Sequence, residues 1–186
     1  MRPLFFALLA LLWSTAAPSV GQATEPNAHS FGFTTIEGEP LPLVSYRGKT
    51  VLLVNTASRC GFTHQYADLQ AVWQRYRERG LVVLGVPSND FGSQEPGSEA
   101  EIKAFCEVNF AVDFPLTEKA RVKGAEAHPF YRWARDALGA EAAPRWNFHK
   151  YLIGPAGRLR AWFPTRTAPT ADEVTRAIEA SLAAQS

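Results

Sequence analysis

The chain has 186 residues, 46% of them apolar, and a formal net charge of +1. That is enough material for one compact domain with a core of its own and too little for two. Lys and Arg are scattered, so there is no basic stripe to neutralise a run of phosphates, and nucleic acid is excluded as a partner.

At the start of the chain, Arg2 supplies a positive charge, Leu4 to Trp13 is an unbroken apolar run, and Ser14 to Ala23 is rich in small residues. This is the pattern of a secretory signal peptide, residues 1–23, which leaves residues 24–186 as the single folded domain. Cleavage is expected after Ala23, with Ala17 as the rival position. The apolar run is too short to span a bilayer. No cysteine stands near the cut to take a lipid, so the mature protein is expected to be exported, to the periplasm, without membrane insertion.

Phe31 to Ile36, the turn Glu37-Gly38-Glu39-Pro40 and Leu41 to Ser45 predict an N-terminal β-hairpin. Val51 to Asn55 is a continuous apolar run of strand length, as in a strand covered on both faces. Leu69, Val72, Trp73 and Tyr76 then recur at helical spacing, and Gly80 marks the stop. Leu81 to Val86, ended by Pro87, predicts a second buried strand, parallel to the first across the intervening helix. After the loop Ser88 to Gly97, Ser98 and Glu101 form a capping box for a helix to about Phe110, with Ile102, Phe105 and Cys106 on its apolar side. Pro129 suits the first turn of a helix running to Leu138. Phe148 to Ile153 and Leu159 to Phe163 predict a second hairpin around Gly154-Pro155-Ala156-Gly157. Thr170 with Glu173 is expected to cap the last helix, whose stripe is Val174, Ile178 and Leu182. The order fits an α/β, thioredoxin-like fold with a mixed central sheet flanked by helices.

Cys60 falls in the connection from the first buried strand to its helix, where open α/β sheets present reactive groups. Backbone N–H groups and the positive helix end at Gly61 to Thr63 favour a thiolate, which is the nucleophile, and Arg59 adds positive potential. A thiolate that attacks a peroxide oxygen also needs donors to hold it and the leaving oxygen. Gln94, Trp146 and Asn147 are neutral side chains able to donate, although a solvated loop glutamine and a core tryptophan are ordinary outcomes for such residues. The chain's two cysteines could equally form a structural Cys60–Cys106 disulfide in an oxidising compartment.

Three stretches decide between these readings. Val54-Asn55-Thr56-Ala57-Ser58-Arg59-Cys60-Gly61-Phe62-Thr63, Pro87 through Gly97 (PSNDFGSQEPG) and Trp146-Asn147-Phe148-His149-Lys150-Tyr151-Leu152 resemble, in order, the three signature motifs of the glutathione peroxidase family. The resemblance runs from about Phe31 to near the C-terminus. It implies that Cys60 is the peroxidatic cysteine and that Gln94, Trp146 and Asn147 complete a catalytic tetrad acting on hydroperoxides. Asp90 departs from the family's usual glutamine before the Phe-Gly pair and is expected to face solvent. Phe105-Cys106 resembles the resolving-cysteine position of the cysteine-containing branch, in which a second cysteine attacks the sulfenic acid and a thioredoxin-like protein reduces the disulfide. That cycle requires the helix around Cys106 to unwind. The short connection Gly139 to Arg145 implies a monomer, and a thioredoxin-like reductant in preference to glutathione.

No bound cofactor is expected, since the cysteines carry the redox equivalents. Cys60 and His64 are four apart but have no second ligand pair, so a metal site is not expected. Two readings stand against a peroxidase: an exported thiol-disulfide oxidoreductase, and a binding module with a structural disulfide. The first normally uses Cys-x-x-Cys, and the residue three beyond Cys60 is Thr63.

Overall fold

The computed structural model describes residues 26–184, so the expected signal peptide lies outside the described residues. A short ribbon comes first, β1 (Gly32–Thr34) paired antiparallel with β2 (Pro40–Pro42). Then follow β3 (Thr50–Thr56), α1 (Gln65–Tyr76), β4 (Leu81–Pro87), α2 (Glu99–Phe110), α3 (Pro129–Leu138), β5 (Lys150–Ile153), β6 (Leu159–Phe163) and α4 (Asp172–Ala183). The four longer strands form one sheet in the order β4-β3-β5-β6. β3 runs parallel to β4 and antiparallel to β5, and β5 antiparallel to β6, which makes the sheet mixed.

Every residue of β3 and of β4 is buried, as their unbroken apolar runs require. Their side chains alternate between two cores. Leu52 and Val54 join Tyr66, Leu69 and Val72 of α1, Ile102 and Cys106 of α2, and Val174 and Ile178 of α4. Val51 and Leu53 face Phe130, Tyr131 and Ala134 of α3, with Phe33 of the N-terminal ribbon. Each such side chain contributes on the order of 1.5–3 kcal/mol by leaving water. The sheet is therefore clamped from both faces, and the carboxyl ends of β3 and β4 are fixed relative to the start of β5.

Several expected boundaries are corrected. The N-terminal strands are shorter than predicted because Leu43–Tyr46 turns as a 3-10 helix, and Pro40 and Pro42 have no N–H to extend the ladder. β4 carries on through Pro87, which pairs with Thr56 at the end of the ladder. β5 begins at Lys150 rather than Phe148, since Phe148 has φ +63°, a left-handed backbone that no strand accommodates. At the last helix the N-cap is Ala171, with no side-chain cap. The Thr170 hydroxyl is instead 3.5 Å from Asp68, and Glu173 accepts from Thr167. The capping box of α2 is present as expected, with Ser98 accepting from the Glu101 N–H and Glu101 from the Ser98 N–H.

Candidate active site

The carboxyl end of β3 passes into a run of tight turns, residues 57–64, before α1 starts at Gln65. Cys60 sits within these turns, in the connection between β3 and α1 as the sequence suggested, but the helix starts at Gln65, beyond the Gly61 to Thr63 segment expected to form its positive end. Its residue is 7% exposed. The Phe62 N–H points at the sulfur, 3.4 Å away, so a backbone donor is in place for a thiolate. The Thr63 N–H is not available for that task, because it donates to the Cys60 carbonyl. Thr63 Oγ1 in turn accepts the Cys60 N–H at 3.0 Å, which closes the turn on itself and aims the side chain.

The loop after β4 is fastened to these turns residue by residue. The Arg59 N–H donates to the Gln94 carbonyl at 3.0 Å, and the Ser58 N–H to Glu95 Oε2 at 2.8 Å. Glu95 is buried, and burial raises its carboxyl above the usual range even though Ser58 favours the charged form. Arg59 is exposed, and its positive charge falls on Glu95 and Glu101.

Gln94 Oε1 accepts from Asn147 Nδ2 at 3.0 Å, a contact between residues 53 apart in the chain. With Oε1 occupied, the carboxamide is oriented and the Nε2 hydrogens of Gln94 remain as its donors. Asn147 itself is buried, and its carbonyl accepts from the Thr165 hydroxyl at 2.8 Å. Trp146 is 38% exposed and rests against Phe91, ring centroids 5.8 Å apart. The structure thus joins Asn147 to Gln94 through their side chains and Gln94 to Arg59, the residue before Cys60, through the backbone.

Two residues that sequence reasoning passed over hold this group in place. Asn55, buried near the end of β3, donates Nδ2 to the Trp146 carbonyl at 3.1 Å, and its own carbonyl accepts the Phe148 N–H at 2.6 Å. Lys150, buried on β5, donates Nζ to the Phe148 carbonyl at 2.7 Å. The left-handed Phe148 peptide is therefore held from both sides, which stabilises a conformation costing on the order of 1 kcal/mol or more. Burial pulls the Lys150 ammonium down to about 7, with Asp68 acting against the shift. The signal available was a polar residue within an otherwise apolar strand, since such a residue must find a partner inside.

A family model described as glutathione peroxidase matches residues 28–135, more than half of the chain. The chain belongs to the glutathione peroxidase family. This peroxidase is 40% identical over 159 residues to a glutathione peroxidase-like peroxiredoxin of Chlamydomonas reinhardtii, covering 83% of the chain and 98% of the relative. It is 42% identical over 159 residues to a hydroperoxy fatty acid reductase of Synechocystis, covering 81% and 93%. Among solved structures, a crystal structure of Trgpx in apo form has a TM-score of 0.69 at 32% identity, covering 86% of this chain and 97% of that one. The thioredoxin-like fold expected from the element order is shared with thioredoxin-family disulfide interchange proteins.

The peroxidase's second cysteine has a different setting. Cys106 lies inside α2, fully buried against the first core. Burial pushes its thiol up to about 12, the Glu95 and Glu107 carboxylates act in the same direction, and the Tyr66 hydroxyl acts against them. Both cysteines are free thiols. Asp90, expected to face solvent, instead turns its carboxylate onto the backbone of the neighbouring segment, accepting from the Val122 N–H at 2.6 Å and the Lys123 N–H at 3.2 Å. There it ties down the loop that carries Gln94. Among the described residues no group of three His, Cys, Asp or Glu side chains is placed to hold a metal, and no helix is long and apolar enough to cross a membrane.

Proposed function

We propose that Cys60 is the peroxidatic nucleophile and that Gln94, Trp146 and Asn147 assist it in reducing hydrogen peroxide and organic or lipid hydroperoxides. The Cys60 thiolate attacks one peroxide oxygen, the O–O bond breaks, and the second oxygen leaves as water or alcohol after taking a proton. Cys60 is left as a sulfenic acid. Cys106, as a thiolate, then attacks the Cys60 sulfur, water leaves, and a Cys60–Cys106 disulfide forms. A thioredoxin-like protein or glutathione returns both to thiols by exchange. The single observation that supports this most is the Gln94–Asn147 hydrogen bond beside a loop bonded backbone to backbone with the Cys60 turn. The name peroxiredoxin borne by the Chlamydomonas relative fits a cycle that runs on cysteines.

Because Cys106 is buried in a helix, resolution requires the end of α2 to open. That end is held by Ala111, a non-glycine residue at φ +51°, whose N–H bonds the carbonyls of Cys106 and Glu107. A strained cap makes this the part of the helix that opens at least cost. We further propose a monomer that is exported by way of residues 1–23; Arg2 and the apolar run Leu4 to Trp13 support the leader, and the short connection after α3 supports the monomer.

Stopped-flow mixing of the reduced protein with a hydroperoxide tests the cycle. One equivalent of the Cys60 thiol should be lost per peroxide, and Cys106→Ser should preserve that first round while abolishing turnover with a thioredoxin system. Normal turnover by Cys106→Ser would remove Cys106 from the cycle, and an unreactive Cys60 would end the peroxidase mechanism itself.

A further inference from the structure

The loop after β4 carries a buried acid that the cycle as described leaves without a task. Glu95 is 1% exposed. Its Oε2 accepts the N–H of Ser58, two residues before Cys60, and its own N–H donates to Asn89 Oδ1 at 2.8 Å. The carboxylate is therefore fixed to the turn that holds Cys60 and to its own loop. A cavity of about 220 Å³ opens beside it, walled by Ser58 and Arg59 on the Cys60 side and by Glu101, Ile102 and Phe105 of α2 on the other. Phe105 directly precedes Cys106.

The same carboxylate reaches the second thiol electrostatically. It raises both Cys106 and the fully buried Tyr66, and the Tyr66 hydroxyl acts on Cys106 in the opposite sense, so the three groups belong to one buried set. Burial lifts the Glu95 carboxyl above its usual range, with Ser58, Lys119 and Arg59 acting against the shift, and a lifted carboxylate is a stronger base than an exposed one. The set has need of a base. A thiol held at about 12 by burial is a poor nucleophile at neutral pH and must lose its proton as the S–S bond forms. The other carboxylates nearby are otherwise engaged. Glu107, which also raises Cys106, is exposed and pairs with Lys103 at 3.8 Å, and Glu101 accepts from Ser98 in the capping box.

We propose that Glu95 is a catalytic residue of the resolving step, taking the proton of the Cys106 thiol as its sulfur attacks Cys60 and returning that proton to the departing oxygen. The S–S bond forms, the S–O bond of the Cys60 sulfenic acid breaks, and the oxygen leaves as water. The sulfenic sulfur is reduced, the thiol sulfur is oxidised, and the carboxylate ends as it began. One acid serves both ends of the transfer because its bond to the Ser58 N–H keeps it beside Cys60 while α2 opens. The inference rests on the Cys60–Cys106 cycle proposed above and gives that cycle its proton path.

The experiment oxidises the reduced protein with hydrogen peroxide, quenches it with acid at intervals, and counts Cys60 sulfenic acid and Cys60–Cys106 disulfide by mass spectrometry across pH. In wild type the rate of disulfide formation should be level through neutral pH, once the Glu95 carboxyl has ionised. Glu95→Gln keeps an acceptor for the Ser58 N–H but takes no proton, and should form the disulfide about a hundredfold more slowly at neutral pH, as for loss of a positioned base. Its rate should climb about tenfold per pH unit, because only the free thiolate then attacks. Glu107→Gln should stay within about twofold of wild type, with a level profile, as for an exposed substitution. A level profile in Glu95→Gln, or an equal slowing of sulfenic acid formation in that variant, would reduce Glu95 to a fastener of its loop and overturn the proposal. A loss in Glu107→Gln as large as that in Glu95→Gln would overturn it too. Should Glu95→Gln fold poorly, wild type decides alone: a rate climbing about tenfold per pH unit through neutral pH would rule out the shuttle. Wild-type sulfenic acid that never becomes disulfide would instead sink the resolving role of Cys106, and the task of Glu95 with it.

Discussion

The two cysteines share one hydrophobic core and yet are held in opposite ways. Cys60 stands on a chain of tight turns, with a backbone N–H aimed at its sulfur and the Thr63 hydroxyl accepting its own N–H. Cys106 stands inside a helix, surrounded by apolar groups and two carboxylates, and burial keeps its proton on to about 12. A thiol is ready for attack where the backbone supplies donors, and is kept inert where the backbone's donors are spent within the helix. The proposed cycle uses both conditions in turn, and opening α2 is what converts the second into the first.

The comparison can be broken most severely at the donors around Cys60. Asn147→Ala removes the partner that orients Gln94 and should slow Cys60 oxidation by peroxide about a hundredfold, the usual size for one lost donor at a reacting oxygen. Alkylation of Cys106 in the same variant should keep its native rate; if both cysteines change together, the effect is general loosening and not loss of a donor. A smaller effect is expected from the helix that shields Cys106. Ser98→Ala removes the capping box of α2 at a cost of about 1 kcal/mol, which should raise the alkylation rate of Cys106 about fivefold and leave Cys60 as it was. An unchanged Cys106 rate would mean that exposure comes from the Ala111 end alone.

The smallest effect concerns pH. The Cys106 thiol is raised in the fold from its ordinary 9.0 to about 12. Its preference for the folded state is therefore complete below about pH 9 and is lost as pH rises through about 12. Replacing Cys106 by Ala should remove a loss of less than about 1 kcal/mol at pH 9.5, read from urea midpoints of wild type and variant across pH. Parallel midpoint curves for the two proteins would show that the thiol titrates alike when folded and unfolded.

How far these features could be read in advance depended on the range of the interactions behind them. The two buried strands were visible as unbroken apolar runs, α1 as a stripe at helical spacing and α2 by its capping box, because each is specified within a few residues. The positions of Cys60, Gln94, Trp146 and Asn147 were legible only through the three motifs; taken singly, a loop glutamine or a tryptophan says little. Lys150 escaped notice because its partner, the Phe148 carbonyl, exists only in a left-handed turn that the strand-like pattern around it concealed. Thr170 and Glu173 had the right spacing for a cap, but Asp68 and Thr167 lay closer to hand in the folded chain.

What the amino-acid sequence determined by itself is the set of strands and helices, their order, and the chemistry present at the end of β3. Which side chains meet there was decided by the tertiary structure alone. The Asn147–Gln94 and Asn55–Trp146 contacts join residues 53 and 91 apart, and Asp90 left its expected place in solvent for backbone 32 residues away. Local propensity reaches only a few residues along the chain, whereas a polar group sealed from water must bond to whatever the packed sheet and helices bring within 3 Å or so.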